Sequence, residues 1–429
     1  MEIHVVRAGE TLQAIAELYN ISVSMLIRDN GLEEPYHLVT GQALVIAVPE
    51  LTYTVREGDN LADIALSHKV SVLQLLQNNP FLSSREYIYP GEELVISYPK
   101  KGSITTHGNT LPFVNLETLR KTLPYLTYLS VLNYTATSEG EIATYYDDSE
   151  IIQTAKAYGV MPLMFLTTLT IQGEANIRIA YDLLLNEDFQ NRQIENILTI
   201  LREKGYYGVT ISFEYINVSN LQAYESYYMK LADRLNEEGY PVFALINPNI
   251  TLIGGEVRFE LADYSLIDRI STDIIFMNYE WAKNTNPPSP ISSIHNMDLY
   301  LNYLMNYILP DKIIAGLATI GYDWELPFSA GISSVNSLTL DRAIDLAWNR
   351  GAVIQFDELS QTPFFIYSVN NNGASVEHIV WFIDARSIDA LLGLVSKYGL
   401  NGVGIWNIAL YNTQLWLIIN SQYEIRKII

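Results

Sequence analysis

From residue 103 onward, short apolar runs alternate with longer stretches in which apolar residues recur every three or four positions. Glycine-bounded runs rich in β-branched and aromatic residues are typical of strands buried on both faces of a parallel sheet, and the longer stretches are typical of amphipathic helices. The predicted strands are Ser103–Thr110, Leu126–Tyr134, Met161–Thr168, Gly208–Glu214, Pro241–Pro248, Ile274–Glu280, Lys312–Tyr322 and Gly402–Trp406. The predicted helices are Val114–Thr122, Ser149–Ala157, Ala175–Leu185, Phe189–Lys204, Leu221–Glu238, Leu299–Ile308, Leu338–Arg350 and Ile388–Tyr398. Because eight strands alternate with helices, we predict an α/β fold, a (β/α)8 TIM barrel spanning residues 103–429.

The connection between the seventh and eighth predicted strands is too long for a single crossover. Within it, the segment Gln355–Asp384 contains two strand-like runs separated by Asn371-Asn-Gly373, a pattern that predicts a β-hairpin. We therefore expect a small α+β insertion at about residues 335–387.

Residues 3–50 and 53–100 form an internal repeat. The aligned pairs are Val6–Leu12 with Val55–Leu61, Ile15-Ala16 with Ile64-Ala65, Asn30 with Asn79, and Gly41–Ile46 with Gly91–Ile96. Each copy predicts a strand, two helices and a second strand, and short polar side chains at Thr11 and Asn60 can cap the first helix. The repeat closely resembles the LysM module, with copies at residues 1–49 and 52–99. That resemblance implies binding of glycans that contain N-acetylglucosamine, such as peptidoglycan or chitin, and two copies in tandem would gain affinity on a repeating polymer. A duplication with a purely structural role is the alternative.

Composition narrows the possible chemistry. The formal net charge is −22, so polyanions such as nucleic acid and acidic membrane surfaces would be repelled. The chain has no Cys, and its six His residues lack the spacing of metal ligands, so we expect no cofactor and no metal. The N-terminal segment has no secretion signal pattern and no apolar run is long enough to span a membrane, which predicts synthesis as a soluble cytosolic protein. We also expect a monomer.

The fourth predicted strand ends in a carboxylate, Glu214. In a barrel of this type catalytic side chains follow the carboxyl ends of strands, where partial desolvation raises the pKa of an acid toward that of a general acid. Alternatively, Glu214 simply ends the strand and faces solvent. The segment Tyr207–Glu214 resembles the D-G-x-D-x-D-x-E motif of glycoside hydrolase family 18. The glycine and the acid match, whereas Tyr207, Thr210 and Ser212 occupy the three Asp positions.

Other segments resemble the same family at further strand ends. Met277-Asn-Tyr279-Glu280-Trp281 resembles M-x-Y-D, Gly321-Tyr322-Asp323-Trp324 is expected to close the seventh strand, Trp381–Ser387 resembles W-x-[ED]-D-x-x-S, and Trp406 closes the eighth strand. The resemblance implies that Glu214, Tyr279 and Ser212 are catalytic. It implies substrate-binding roles for Glu280, Trp281, Tyr322, Asp323, Trp324, Trp381 and Trp406. Aromatic rings offer apolar platforms for the C–H faces of sugars, although each could instead be a packing residue.

The resemblance implies a substrate-assisted retaining mechanism, in which Glu214 protonates the glycosidic oxygen and the 2-acetamido oxygen of the substrate attacks the anomeric carbon. Ser212 stands where an Asp would orient the acetamido group. Two LysM modules followed by such a barrel resemble the spore cortical-fragment-lytic N-acetylglucosaminidases of endospore-forming bacteria, which implies a peptidoglycan substrate and a location at the spore coat or cortex. A glycan-binding protein without turnover and a chitinase are the alternatives.

Overall fold

The computed structural model describes residues 1–83, 85, 87–169, 177–213, 219–253, 256–277, 286–371 and 374–428. A barrel of parallel strands forms its centre, and the two repeats pack on one side of the barrel. Within the described ranges, no helix is long and apolar enough to cross a membrane.

The predicted (β/α)8 barrel is confirmed. Its strands are Gly102–Thr110, Tyr128–Ala136, Met161–Thr167, Gly208–Phe213, Val242–Ile246, Ile274–Phe276, Ile313–Ala318 and Gly402–Trp406. Each strand pairs in parallel with the next, and the first pairs with both the second and the eighth, which closes the barrel. The helices between and after these strands are Leu116–Thr122, Ser149–Ala157, Ile177–Leu185, Glu187–Lys204, Leu221–Asn236, Ser265–Ile270, Ile294–Leu304, Ala385–Tyr398 and Thr413–Gln422.

Several short strands and 3-10 helices lie outside the eight-stranded barrel. The strand Ile142–Thr144 pairs antiparallel with the second barrel strand, and Tyr423–Ile425 pairs in parallel with the first. Ile250–Ile253 and Glu256–Phe259 form an antiparallel pair after the fifth strand. Short 3-10 helices lie at Pro80–Leu82, Leu123–Tyr125, Ser138–Gly140 and Pro310–Lys312.

The barrel interior is packed with side chains. Its buried apolar members are Tyr128, Leu163, Phe165, Phe243, Leu245, Ile275, Met277 and Ile314. A larger apolar cluster lies between the outer faces of the strands and the surrounding helices. Because both faces of each strand are buried, most of the strands are nearly continuous apolar runs, which is why they were visible in the sequence. The first strand is the exception, since Thr105, Thr106, His107, Asn109 and Thr110 are buried polar residues.

Each repeat folds as predicted, with elements Glu2–Val5, Leu12–Leu18, Val23–Asn30 and Ala43–Ile46 in the first and Leu51–Thr54, Leu61–His68, Val72–Asn78 and Glu93–Ser97 in the second. The repeated asparagines explain part of the pattern. Asn30 donates to Leu26 O and Val45 O, each at 2.9 Å, and accepts from Val45 N. Asn79 makes the same three bonds in the second repeat. Each amide thereby joins the second helix to the last strand of its module.

The insertion forms a five-stranded antiparallel sheet with one helix, Leu340–Arg350. Its strands, in spatial order, are Val335–Leu338, Gly321–Leu326, Ala374–Trp381, Thr362–Asn371 and Gln355–Asp357. The predicted hairpin is confirmed by the pairing of Asn371 with Ala374; its turn residues 372–373 lie outside the described ranges.

The prediction for the seventh strand was wrong at its end. The barrel strand stops at Ala318, and Gly321–Leu326 is a strand of the insertion sheet rather than a continuation of the barrel. Gly321 starts this strand in close contact with Phe382: a Cβ at Gly321 would lie 2.9 Å from the Cβ of Phe382, so only glycine fits against that neighbour. The insertion sheet therefore begins about fourteen residues before the predicted start at 335, since its first strand starts at Gly321.

Both repeats contact the last helix of the barrel, Thr413–Gln422. Gln414 Nε2 donates to Ala43 O at 2.9 Å in the first module, and Asn420 Nδ2 donates to Asn78 Oδ1 at 2.8 Å in the second. Tyr98 is buried in the main apolar cluster of the barrel. The modules are thus packed against the barrel and share part of its core.

Candidate active site

The fourth barrel strand carries the motif that suggested catalysis. Ser212 is buried, with 7% of its surface exposed, and lies beside Leu245 of the fifth strand. Because side chains alternate along a strand, Ser212 lies on the same face as Thr210, whose hydroxyl is inside the barrel. Glu214 belongs to residues 214–218, which lie outside the described ranges.

A buried chain of neutral polar groups crosses the barrel below Ser212. His107 Nε2 lies 2.7 Å from Ser130 Oγ, which lies 2.7 Å from Thr210 Oγ1. Complete burial lowers the pKa of His107 to about 3, so its ring is neutral at physiological pH. Thr210 occupies a position where the family motif has an Asp, so an uncharged hydroxyl stands here in place of a carboxylate.

Trp406 ends the eighth strand and is half-buried, with its ring centroid 6.1 Å from that of Phe165. Its carbonyl accepts a hydrogen bond from Thr319 N at 2.9 Å, and the Trp406–Asn407 peptide bond is cis. Thr319 precedes the first strand of the insertion by two residues, so that strand starts beside Trp406. An aromatic side chain is therefore placed at the carboxyl end of the barrel, next to the entry of the insertion.

Asn109 was not predicted as a site residue. It lies on the first strand in register with Trp406, and its Nδ2 donates to Ile405 O at 3.2 Å. In the described part of the chain, its buried Oδ1 has no hydrogen-bond partner. The signal available in the sequence was its place near the end of the first predicted strand, two residues after His107. Asn109 Oδ1 is therefore a free hydrogen-bond acceptor near the mouth of the barrel.

The alternation of the insertion strand Gly321–Leu326 separates Asp323 from Tyr322 and Trp324, whose ring centroids are 5.4 Å apart. Tyr322 pairs with Trp381, and Trp381 stacks on Phe364 with ring centroids 4.5 Å apart, so one face of the sheet is aromatic. Tyr322 and Trp381 are both partly exposed. Phe364 is a second residue that the sequence analysis missed, because hairpin register, rather than a motif, brings it to this face.

Trp324 and Asp323 of this strand both have contacts within the protein. Trp324 is completely buried, and its Nε1 donates to Asn286 O at 3.1 Å, so its ring packs the insertion against the barrel. Asp323 points to the opposite face of the sheet, where it accepts from Tyr367 OH at 2.7 Å and lies 3.0 Å from His378 Nδ1. Asp323 faces away from Tyr322 because neighbouring residues of a strand lie on opposite faces, whereas Trp324 lies beside Tyr322 with ring centroids 5.4 Å apart. The substrate-binding role of these two side chains stays a prediction.

The remaining predicted site residues are Tyr279, Glu280 and Trp281, and all three belong to residues 278–285, outside the described ranges. Met277, just before them, is buried in the barrel interior. Across the described residues, no group of three or more His, Cys, Asp or Glu side chains could hold a metal ion.

The segment Trp381–Ser387 has a structural explanation beside its family resemblance. Asp384 caps the helix Ala385–Tyr398 by accepting from Arg386 N at 2.9 Å, and its carboxylate pairs with the Arg386 guanidinium at 2.6 Å. Ser387 Oγ donates to Gln361 O at 2.7 Å and so ties the helix to the insertion. The motif fixes the point at which the chain returns from the insertion to the barrel.

A closed parallel barrel with a polar strand end, an aromatic side chain at its mouth and a sheet insertion with an aromatic face defines a carbohydrate-active (β/α)8 barrel. The model of glycosyl hydrolases family 18 matches residues 164–410, and the LysM domain model matches residues 4–47 and 53–97. The chain belongs to glycosyl hydrolases family 18 and carries two LysM domains.

Relatives match over the whole length. The Bacillus subtilis (strain 168) protein YdhD is 30% identical over 435 residues, covering 100% of both chains. The cortical fragment-lytic enzyme of Bacillus subtilis (strain 168) is 28% identical over 432 residues, covering 100% of this chain and 99% of the relative. The crystal structure of the Bacillus cereus spore cortex-lytic enzyme SleL superimposes with a TM-score of 0.80 at 28% identity, covering 99% of each chain.

Proposed function

We propose that this protein hydrolyses N-acetylglucosaminyl linkages in peptidoglycan, with the spore cortex as its substrate. One observation carries the proposal: a family 18 barrel with an aromatic residue at its mouth is combined, in one chain, with two LysM modules packed against it. The full-length similarity to cortical fragment-lytic enzymes supports the same substrate class. We further propose that the protein acts at the spore cortex or coat.

The proposed reaction is substrate-assisted retention. Glu214 protonates the glycosidic oxygen, the substrate's 2-acetamido oxygen attacks the anomeric carbon, and water opens the resulting oxazolinium ion. Tyr279 would bind the acetamido group, and Glu280 and Trp281 would lie beside it. Trp406 would form the floor under the sugar at the cleavage site, with Tyr322 and Trp381 of the insertion as a wall.

Ser212 makes the environment of the acetamido group unusual. A hydroxyl can donate or accept a hydrogen bond but cannot balance the positive charge that develops on the oxazolinium ring. Loss of such a preorganised charge costs on the order of 10²–10³ in rate. The polar chain beneath Ser212 is also neutral, because His107 stays unprotonated. Compensation would have to come from another group, and Glu280 is the first candidate.

Ser212 also favours a second function, which is glycan binding without hydrolysis. The two functions are separated by incubating the full-length protein with muropeptide fragments from spore cortex and analysing the products by mass spectrometry. New reducing ends at N-acetylglucosamine would support hydrolysis. Sedimentation with insoluble cortex but no product would support binding alone, and products from chitin oligomers only would support a chitinase.

A further inference from the structure

We infer that the first LysM module is a positioning element of the catalytic barrel, because its segment 37–41 completes the core of the insertion that carries Tyr322 and Trp381. The two modules are therefore not equivalent: the first is fixed to the insertion through this segment, and the second is not.

Four contacts of this segment carry the inference. Val39 is 4% exposed and belongs to the apolar cluster of the insertion, together with Phe365 and Val380. Thr40 O accepts from Ile354 N at 2.9 Å. Gly41 O accepts from Arg386 Nη2 at 3.2 Å, and the His37 ring stacks on Trp348 at 4.0 Å with an interplanar angle of 9°.

The internal repeat supplies a direct comparison. Gly41 and Gly91 are equivalent, and their φ angles are +88° and +91°. A Cβ at Gly41 would lie 1.9 Å from Ile354 O, whereas a Cβ at Gly91 would have nothing within 4 Å. At the position of Val39 the second module has Tyr89, which is 57% exposed. The same local structure is thus pressed against the insertion in one module and open in the other.

Val39 packs on one face of the insertion sheet, and the aromatic residues lie on the opposite face of the same sheet. Phe365 and Val380, which pack with Val39, are adjacent in sequence to Phe364 and Trp381 on the other face. If packing on one face of the sheet is lost, the strands can shift, and the side chains on the other face shift with them. Close-packed interiors respond to such a loss by rearranging to another packing. The position of Trp381 should therefore depend on the first module even when the substrate is too short to need a LysM module.

The test compares Gly41→Ala with Gly91→Ala in the full-length protein. Both changes place an alanine at φ near +90°, so they share the backbone penalty, and only Gly41→Ala also disturbs the interface. Hydrogen exchange is measured across the insertion strands Thr362–Asn371 and Ala374–Trp381. We expect Gly41→Ala to raise exchange there by about ten-fold or more, and Gly91→Ala to leave it unchanged.

A second pair of variants, with smaller changes, is used in case the glycine variants fail to fold. Val39→Ala and Val55→Ala are the same truncation at buried sites, with Val39 in the insertion cluster and Val55 in the core of the second module. Val39→Ala should raise exchange in the insertion strands, and Val55→Ala should not. If neither Gly41→Ala nor Val39→Ala changes exchange in the insertion, while the first module itself exchanges faster, the inference is overturned.

A kinetic readout rests on the proposed hydrolysis. With a short soluble N-acetylglucosamine oligosaccharide, Gly41→Ala should raise KM by about ten-fold with kcat nearly unchanged, because an aromatic wall contributes to binding on that scale. An equal fall in kcat for Gly41→Ala and Gly91→Ala would contradict the inference. If the native protein releases no product, the proposed function fails, and the exchange experiment still decides the role of the first module.

Discussion

Ser130 Oγ and Thr210 Oγ1 lie 2.7 Å apart inside the barrel, and both are completely buried. Together with His107, they form a neutral polar chain beneath Ser212. The fourth strand, which usually brings carboxylates to the mouth in this family, here brings hydroxyls as far as Ser212. This difference determines what a restoring substitution should do.

Ser212→Asp should raise kcat on N-acetylglucosamine linkages by about ten-fold or more if charge at the acetamido group is what the native chain lacks. The new carboxylate would be buried near a neutral chain, so some loss of stability is expected as well. Initial rates on cortex fragments and thermal unfolding are the two measurements. Ser212→Asn is the matched control, since it adds a similar volume without charge. An unchanged or lower kcat in Ser212→Asp would mean that another group already fills the role.

Glu214→Gln removes the proposed proton donor while keeping the shape of the side chain. Hydrolysis should fall by about 10²–10⁴, and binding of oligosaccharide should persist because the amide still forms hydrogen bonds. Glu187→Gln, an exposed residue at the start of a helix, is the control and should retain full activity. Full activity of Glu214→Gln in the rate assay would remove this residue from the mechanism.

Trp406→Ala and Trp324→Ala should have different consequences. The half-buried Trp406 is the proposed sugar platform, so its loss should weaken binding of N-acetylglucosamine oligomers in calorimetry by about ten-fold, with a modest change in Tm. Trp324 is completely buried, so its truncation should cost about 3–5 kcal/mol of unfolding free energy instead. Unaltered affinity in Trp406→Ala would identify that ring as a packing residue.

Tyr279→Phe tests the proposed acetamido contact. It should lower kcat more than it raises KM, because a hydrogen bond to the acetamido oxygen strengthens as the oxazolinium ion forms. Tyr240→Phe, in the turn before the fifth strand, offers a matched control away from the barrel mouth. Steady-state kinetics on a soluble oligosaccharide give both parameters, and an unchanged kcat would exclude Tyr279 from the mechanism.

Asp148 should make the stability of the barrel sensitive to acid. Burial acts to raise its pKa, but hydrogen bonds from Tyr134, Tyr206 and Asn133 and the ion pair with Lys204 outweigh burial, so the pKa is lowered below its usual value. A group with a depressed folded-state pKa stabilises the protein above its unfolded pKa, and that stability is lost as the pH falls through the folded value.

Asp148→Asn should therefore reduce the free energy of unfolding by about 3 kcal/mol near neutral pH, where the native carboxylate is charged, and by less at an acidic pH below its lowered folded-state pKa. Denaturant unfolding at the two pH values measures the difference. The exposed Asp147, its neighbour, serves as the control for a change of charge at the same helix start. An equal loss at both pH values would show that ionisation of Asp148 does not contribute.

The amino-acid sequence by itself determined the architecture. Strands buried on both faces of a parallel barrel are mostly apolar, so most of the eight runs were visible without tertiary information, and the eighth ended at Trp406 as predicted. The LysM pattern could also be recognised in the sequence. Asn30 and Asn79 each form three hydrogen bonds with backbone groups of their own module, over short sequence distances.

Only the tertiary structure decided how deeply each predicted residue is buried and which side chains it contacts. Tyr322, Asp323 and Trp324 form one motif in the sequence, but their strand belongs to the insertion. Alternation turns Asp323 to the opposite face from the other two, and packing buries Trp324 while Tyr322 stays partly exposed. Likewise, nothing local distinguishes Gly41 from Gly91. Their difference arises from Ile354, more than 300 residues away from Gly41 in the chain, and contacts over such separations are fixed by packing rather than by local pattern.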